Sequence, residues 1–275
     1  MPTAFRVAGV AAIVAATLCF SVRARMAPQS APEQSSREGL ALLHKMQNAL
    51  GGAEKIAAIN DFEETVRAQI WNNSGVPMGE VTKRTRWMRH PNLLRLDQYG
   101  PRDTYVLYYD GGAGGGWEML PDLKNADPFR TEGRAIALEG GELKFAQNYI
   151  SNFQFNDWLA DRMPGYVVTS PAANVIRIAR NGSAVDLTLN PATWLPAKSA
   201  SVSLADPNRP VPAEMHLDEW TEVDGVRFPT RQANYHSGVK LAEETEQGPM
   251  RINAGLKAED LAAKPADFMP VIPGR

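Results

Sequence analysis

Cysteine is nearly missing from this sequence: its 275 residues contain one, Cys19. It lies in an apolar run near the N-terminus and follows Leu18, whereas a lipid-modified N-terminal cysteine follows a small residue. The pattern therefore disfavours a lipoprotein. A chain cleaved after this run would contain no cysteine, which excludes disulfides, a thiol nucleophile and any cysteine-ligated metal.

Residues 1–24 are predicted to be a secretory signal peptide. Arg6 provides the positive charge at its start, residues 7–22 form an apolar run, and Ala24 or Ala27 supplies the small residue at the cleavage site. The run is shorter than the ~20 residues that span a bilayer, so we expect no stable membrane insertion after cleavage. The expected location is the periplasm. An uncleaved run would instead anchor the protein at its N-terminus, facing the periplasm.

The sequence also lacks an excess of basic charge and a recognisable catalytic motif. Its 29 basic and 31 acidic residues give a net charge of −2, and loss of Arg6 and Arg23 with the signal makes it more negative. No affinity for nucleic acid is therefore expected. No G-x-S-x-G nucleophile elbow occurs. The glycine-rich stretch 111–116 precedes Trp117 rather than the Lys and Ser/Thr of a phosphate-binding loop, so it predicts a hairpin turn.

One group of potential metal ligands occurs late in the chain. Glu214, His216 and Asp218 alternate along a predicted strand and so share one face. No second group of ligands accompanies them, and we interpret this face as solvated surface. No metal, cofactor or catalytic residue is predicted, and an enzyme is the least favoured of three functional hypotheses.

The remaining sequence predicts a spacer followed by one domain. Residues 25–38 are rich in proline, glutamine and serine, which is typical of a flexible spacer. A single domain is expected over residues 39–270. It begins with a helix, because Leu43, Met46 and Leu50 recur at helical spacing before two glycines.

After residue 60 the apolar residues alternate with a period of two, which predicts β-strands. Turn residues separate about eleven such strands at short intervals, which favours an antiparallel arrangement. The predicted fold is mainly β within an α+β class: a large curved antiparallel sheet or half-barrel. Residues 135–162 instead place large apolar residues at helical spacing. We expect these helices to cover another part of the protein, because an isolated helix cannot bury such a surface.

The stretch RWMRHPNLLRLDQYG, residues 86–100, combines basic residues with two apolar ones at strand spacing. Alternation places Leu94 and Leu96 on one face as wall residues. The same alternation predicts that Arg84, Arg86 and Arg95 face water.

Residues 87–121 resemble the signature region of the LolA/LolB lipoprotein-carrier family. The matching features are a tryptophan, a basic pair, Pro-Asn-Leu, an apolar strand, and a hairpin into a strand from Trp to Pro. In this sequence they are Trp87, Arg89-His90, Pro91-Asn92-Leu93, residues 105–111 and residues 117–121. The stretches 190–202 and 218–231 are also similar to the family's downstream strands. The resemblance implies an antiparallel half-barrel with helices as a lid over an apolar cavity.

The resemblance further implies a non-catalytic periplasmic carrier that binds lipid or lipoprotein acyl chains. Each buried CH₂ contributes ~0.8 kcal/mol, so an apolar cavity can hold an acyl chain without covalent chemistry. In the family an arginine directly before the proline holds the lid. His90 occupies that position here, with Arg89 before it, and these two residues are the predicted lid latch. The predicted cavity residues are Leu94, Leu96, Val106, Tyr108, Trp117, Met119, Phe153 and Trp158.

A second hypothesis comes from a different functional class. The same fold suits an interaction or sensor module of the cell envelope, whose cleft receives a protein segment instead of a lipid. Other envelope proteins would then be the partners. The sequence leaves this alternative open.

Overall fold

The computed structural model describes residues 34–100, 105–121, 133–151, 153–180, 183–203 and 211–265. The predicted signal peptide and the predicted spacer up to residue 33 lie outside these residues. The helices are α1 (Arg37–Leu50), α2 (Ala53–Ala57), α3 (Gly140–Ser151), α4 (Gln154–Trp158) and α5 (Ala258–Ala262), with a short 3-10 helix at Ala160–Arg162.

The strands within the described residues form a single antiparallel sheet of fourteen members. They are β1 (Asp61–Trp71), β2 (Pro77–Met88), β3 (Leu93–Tyr99), β4 (Tyr105–Asp110), β5 (Gly115–Pro121), β6 (Gly133–Ala137), β7 (Val167–Ala172), β8 (Val175–Arg180), β9 (Ser183–Leu189), β10 (Pro196–Ser203), β11 (Val211–Val223), β12 (Val226–His236), β13 (Val239–Glu246) and β14 (Arg251–Ile252). The order is β6-β5-β4-β3-β2-β1-β13-β12-β11-β10-β9-β8-β7, and β14 pairs with β1. Among the described strands the ends of this order, β6 and β7, do not pair, so the sheet is open.

The predicted fold class is confirmed, and the sheet holds more strands than the alternation indicates. Two strands, β6 and β14, show too little apolar alternation to be predicted from the sequence. β14 spans two residues, and β6 lies partly inside residues 135–162, where helices were expected. β6 forms because its backbone continues the ladder of β5, and such pairing does not depend on side-chain alternation.

Helix α1 has clear signals at both ends. The Ser36 hydroxyl accepts a hydrogen bond from the Gly39 N–H at 3.0 Å, which satisfies one of the free amides of the first turn. Arg37 and Glu38, at the end of the predicted spacer, form that turn. Gly51 ends the helix with a φ of 117°, a left-handed conformation that glycine adopts at low cost.

The inner face of the sheet, defined as the face that α1 and α3 cover, contains the main core. Aromatic rings from β1, β2 and β12 meet rings from α4 and the residue before it. Trp87 stacks on Phe153 at 5.1 Å between ring centroids, and Phe62 packs edge-on against Phe155 at 5.5 Å. Phe228 completes this aromatic core beside Phe62. The middle of the inner face is therefore filled by packed side chains.

The outer face of β2 and β3 contains buried charges, which the sequence did not indicate. Arg95 is 6% exposed; its Nε donates to Asp97 Oδ1 at 3.0 Å, and its Nη1 donates to the carbonyl of Leu261 in α5 at 3.0 Å. Arg86 also pairs with Asp97 and is mostly buried. The prediction that Arg86 and Arg95 face water is therefore wrong, because α5 packs over this part of the sheet. Arg84 remains partly exposed and pairs with Glu63.

Candidate functional site

Helix α3 covers one end of the inner face and is held there by few side chains. Ala146 and Ile150 are buried, and Leu143 and Tyr149 are half-buried. Phe145 is 48% exposed although it is a large apolar residue. A helix gains its stability in proteins mainly from its packed face. The packed face of α3 is smaller than that of α1, in which Leu43, Met46 and Leu50 are fully buried.

A cleft opens between α3 and strands β3–β5. The inner part of the cleft is about 130 Å³ and is bounded by Lys83, Arg84, Leu96, Asp97, Gln98, Tyr105, Phe145 and Tyr149. The outer part is about 410 Å³ and is bounded by Tyr105, Glu118, Gly141, Glu142 and Phe145. Tyr105 and Phe145 border both parts, so the two parts adjoin each other.

A cluster of charged groups lies beneath Tyr149 at the inner end of the cleft. Lys83 Nζ donates to Glu244 Oε1 at 2.6 Å, and Gln232 Nε2 donates to Glu244 Oε2 at 2.6 Å. Burial, together with the Glu244 carboxylate, raises the pKa of Glu64 to about 7. Burial acts to lower the pKa of Lys83, but Glu244 outweighs it and that pKa is raised. The pKa of Glu64 therefore lies near neutral pH, whereas that of Lys83 is moved further from it.

Two carboxyl groups face the outer part of the cleft. Glu118 projects from β5, and Glu142 lies in the first turn of α3. Burial raises the pKa of Glu118, and repulsion by Glu142 adds to this. Burial and the same two carboxylates raise the pKa of the Tyr105 phenol. The outer part of the cleft is thus acidic, whereas its middle is aromatic and aliphatic.

The eight predicted cavity residues lie on both faces of the sheet. Leu94 and Leu96 are on the inner face, where Leu96 borders the cleft, and Phe153 and Trp158 pack into the aromatic core. The other four form a separate cluster on the outer face: Val106, Tyr108, Trp117 and Met119. The prediction that all eight line one cavity is wrong. Leu94 pairs with Tyr109 across the ladder, so Tyr108 and Val106 point away from it.

The predicted latch residues make different contacts. Arg89 Nε donates to the Ile59 carbonyl at 2.8 Å, and Arg89 Nη2 donates to the Ile56 carbonyl at 3.3 Å. The guanidinium also lies over the Trp87 ring. Arg89 therefore ties α2 and the loop after it to the sheet rather than holding α3. His90 is exposed and makes no side-chain hydrogen bond within the described part of the chain. A latch role for these residues stays a prediction.

The charged residues of the cleft were missed, although the alternation contains a signal for two of them. Glu64 occupies the same strand face as Phe62 and Val66, and Lys83 occupies the face of Trp87. A charge in the middle of an apolar stripe indicates either a buried ion pair or a site. Phe145 and Tyr149 were part of the predicted lid but were not named as site residues.

The late group of potential ligands forms ion pairs. Glu214 interacts with Lys198 at 3.2 Å and with His216 Nε2 at 3.0 Å, and hydrogen bonds from these two residues lower the pKa of Glu214. Over the described ranges, no group of three His, Cys, Asp or Glu side chains is arranged to hold a metal ion. No helix in that part of the chain combines the length and the apolar character needed to cross a bilayer.

The open sheet, the covering helices and the cleft under α3 define a LolA-like half-barrel. The solved structure described as an outer membrane lipoprotein-sorting protein domain from Vibrio parahaemolyticus aligns with a TM-score of 0.52 and 13% identity, over 82% of this chain and 96% of its own. A DUF1329 family protein from Desulfovibrio piger aligns with a TM-score of 0.54 and 12% identity, over 83% and 97%. A LolA superfamily protein from Nitrosomonas europaea has a TM-score of 0.47 and 12% identity, over 82% and 97%.

The resemblance to the LolA/LolB family is confirmed at the level of the fold, and the sequence has diverged far from these structures. No family model matches the sequence, and no curated protein matches it.

Proposed function

We propose that this protein is an exported, non-catalytic carrier that binds the acyl chains of lipids or lipoproteins on the inner face of its half-barrel, beneath α3. The observation that supports this most directly is the cleft between α3 and β3–β5, which places the exposed Phe145 opposite Leu96. In the proposal the protein works in the periplasm, in line with the apolar run at its N-terminus.

Loading requires α3 to move outward. The inner cleft of about 130 Å³ is smaller than the ~300–1,000 Å³ of usual small-molecule pockets. Displacing α3 uncovers the apolar residue Leu96, which borders the cleft and belongs to the main core. At ~0.8 kcal/mol for each buried CH₂, an acyl chain can replace the few apolar contacts that α3 makes.

Phe145→Ala is expected to weaken binding of an apolar ligand by about fivefold, because removal of the ring takes away apolar contact area at the centre of the cleft. The measurement is fluorescence titration of the purified mature protein with N-phenyl-1-naphthylamine. Native mass spectrometry of wild-type protein purified from the periplasm should also detect co-purifying lipid.

Met78→Ala is the matched control for that experiment. Met78 is a large apolar residue, 52% exposed, on β2 but outside the cleft, so its removal should leave the affinity unchanged. Wild-type protein that carries no lipid and does not bind the probe would refute the carrier function. A stable envelope protein that co-purifies in place of lipid would instead favour the interaction module.

A further inference from the structure

Glu118 is a largely buried residue whose carboxyl group has no partner within the part of the chain that the structure describes. It projects from β5 into the outer part of the cleft, and the residue is 5% exposed. It forms no side-chain hydrogen bond or ion pair with another described residue, and the Glu142 carboxylate raises its pKa further after burial. A buried charge without a partner is costly, and two facing carboxylates increase that cost. A ligand that brings a positive charge between the two carboxylates would remove this cost.

The groups around Glu118 suit an ammonium ion better than a hydrated metal ion. The aromatic rings of Tyr105 and Phe145 border the same space as Glu118 and Glu142. Ring faces and carboxylates together are how proteins bind alkylammonium groups, because both attract a diffuse positive charge. A metal ion would need more oxygen ligands than these two carboxylates supply.

The acidic part of the cleft adjoins the inner part that Leu96 and Tyr149 line. Tyr105 and Phe145 border both parts, and Leu96 and Tyr149 line the inner one. Lys83 lies at the far end and is already paired with Glu244. A ligand whose charged end lies at Glu118 would therefore extend its apolar chain along Phe145 towards Leu96.

We propose that the cleft selects amphiphiles with a cationic head: the ammonium group lies between Glu118 and Glu142, and the alkyl chain extends beneath α3. This inference rests on the proposed carrier function and adds a ligand class to it. The two carboxylates disfavour amphiphiles with an anionic head, since like charges in a partly desolvated cleft repel strongly.

The test compares three probes with the same alkyl chain by isothermal titration calorimetry below their micelle concentrations. Decyltrimethylammonium is cationic, decyl maltoside is neutral and decyl sulfate is anionic. The mature wild-type protein should bind the cationic probe about tenfold more tightly than the neutral one. Glu118→Gln should remove most of this preference and leave the affinity for decyl maltoside unchanged.

Two further variants keep the test decisive. Glu142→Gln alters an exposed residue of α3, so folding should be unaffected, and it should also reduce the preference. Glu139→Gln removes the same charge just before α3 and outside the cleft, and it should retain the wild-type preference.

Equal binding of the cationic and neutral probes by the wild type would overturn the inference and leave the carrier function standing. Tightest binding of decyl sulfate would overturn it too. Binding of none of the probes would refute the carrier function as well.

Discussion

Asp97→Ala should lower the free energy of unfolding by about 3–5 kcal/mol, the usual cost of removing one partner from a buried ion pair. Asp97 is 2% exposed and is the shared carboxylate partner of Arg86 and Arg95. Its loss leaves two buried guanidinium groups without their carboxylate. The Nε of Arg86 already has no hydrogen-bond partner within the described residues, so that group has little means of compensation. Urea unfolding of the mature protein, followed by circular dichroism, measures the change.

Asp186→Ala is the matched control, since Asp186 also pairs with an arginine on the neighbouring strand. Arg177 donates two hydrogen bonds to it, each 2.7 Å long, but the pair is largely exposed. The expected loss is below about 1 kcal/mol. Asp97→Asn separates charge from packing, because it preserves the volume. Equal losses for Asp97→Ala and Asp186→Ala would show that burial of the Asp97 cluster carries no special cost.

The position of α5 should respond to the same change. Arg95 donates to main-chain carbonyls of Leu261 and Ala263, which ties the end of α5 to the outer face of β3. If Asp97 no longer orients the Arg95 guanidinium, amide hydrogen exchange should be accelerated over the wild type more strongly in α5 than in α1. This readout distinguishes a local loss of docking from a uniform loss of stability.

The fold could be predicted because its signals are local. Alternation, turn residues and the helical spacing of residues 135–162 indicated a large antiparallel sheet with covering helices. The face of each strand was harder to assign where both faces are apolar. In β4, Val106 and Tyr108 were expected to point inward, but Leu107 and Tyr109 do so, and only the pairing with β3 determines which.

The site depends on contacts between residues far apart in the sequence, and these could not be predicted. The strand alternation places Arg95 on the face opposite Leu94 and Leu96, where a solvent-exposed arginine would also lie. Arg95 is buried because α5, more than 160 residues later, packs over it. Glu118 becomes part of a cleft only through α3. Charges on an apolar stripe, such as Glu64, are the one signal that the sequence itself offered.

Glu64→Gln should raise the free energy of unfolding at pH 8 by about 2–3 kcal/mol and change it by less than about 1 kcal/mol at pH 5. Glutamine imitates the protonated carboxyl at every pH. The pKa of Glu64 is about 7 in the folded protein and 4.5 as the ordinary value. A raised carboxyl pKa means that the fold favours the protonated form. Its stabilising contribution is therefore complete below about pH 4.5 and is lost as the pH rises towards 7. The groups that act on Glu64 are Glu244, Glu246, Lys83, Thr85 and Tyr149.

Glu243→Gln tests the sign of this effect. Hydrogen bonds from Lys240 and Arg231 lower the pKa of Glu243, so this carboxylate favours the fold when it is ionised. The glutamine variant should therefore be slightly less stable than the wild type at pH 8, the opposite of Glu64→Gln. Thermal unfolding of both variants between pH 5 and pH 8 provides the comparison. A Glu64→Gln gain that is the same at both pH values would contradict the burial of an ionisable Glu64.

Ionisation of Glu64 should also make α3 separate from the sheet more readily, because Tyr149 of α3 lies over the same charged cluster. Ionisation of Glu64 adds a second buried carboxylate beside Glu244, and separating α3 from the sheet lets water solvate it. Amide exchange in α3, corrected for its intrinsic pH dependence, should therefore be faster at pH 8 than at pH 5 in the wild type. In Glu64→Gln the two corrected rates should be equal. A rate difference that survives this substitution would mean that another group controls the helix that the carrier must open.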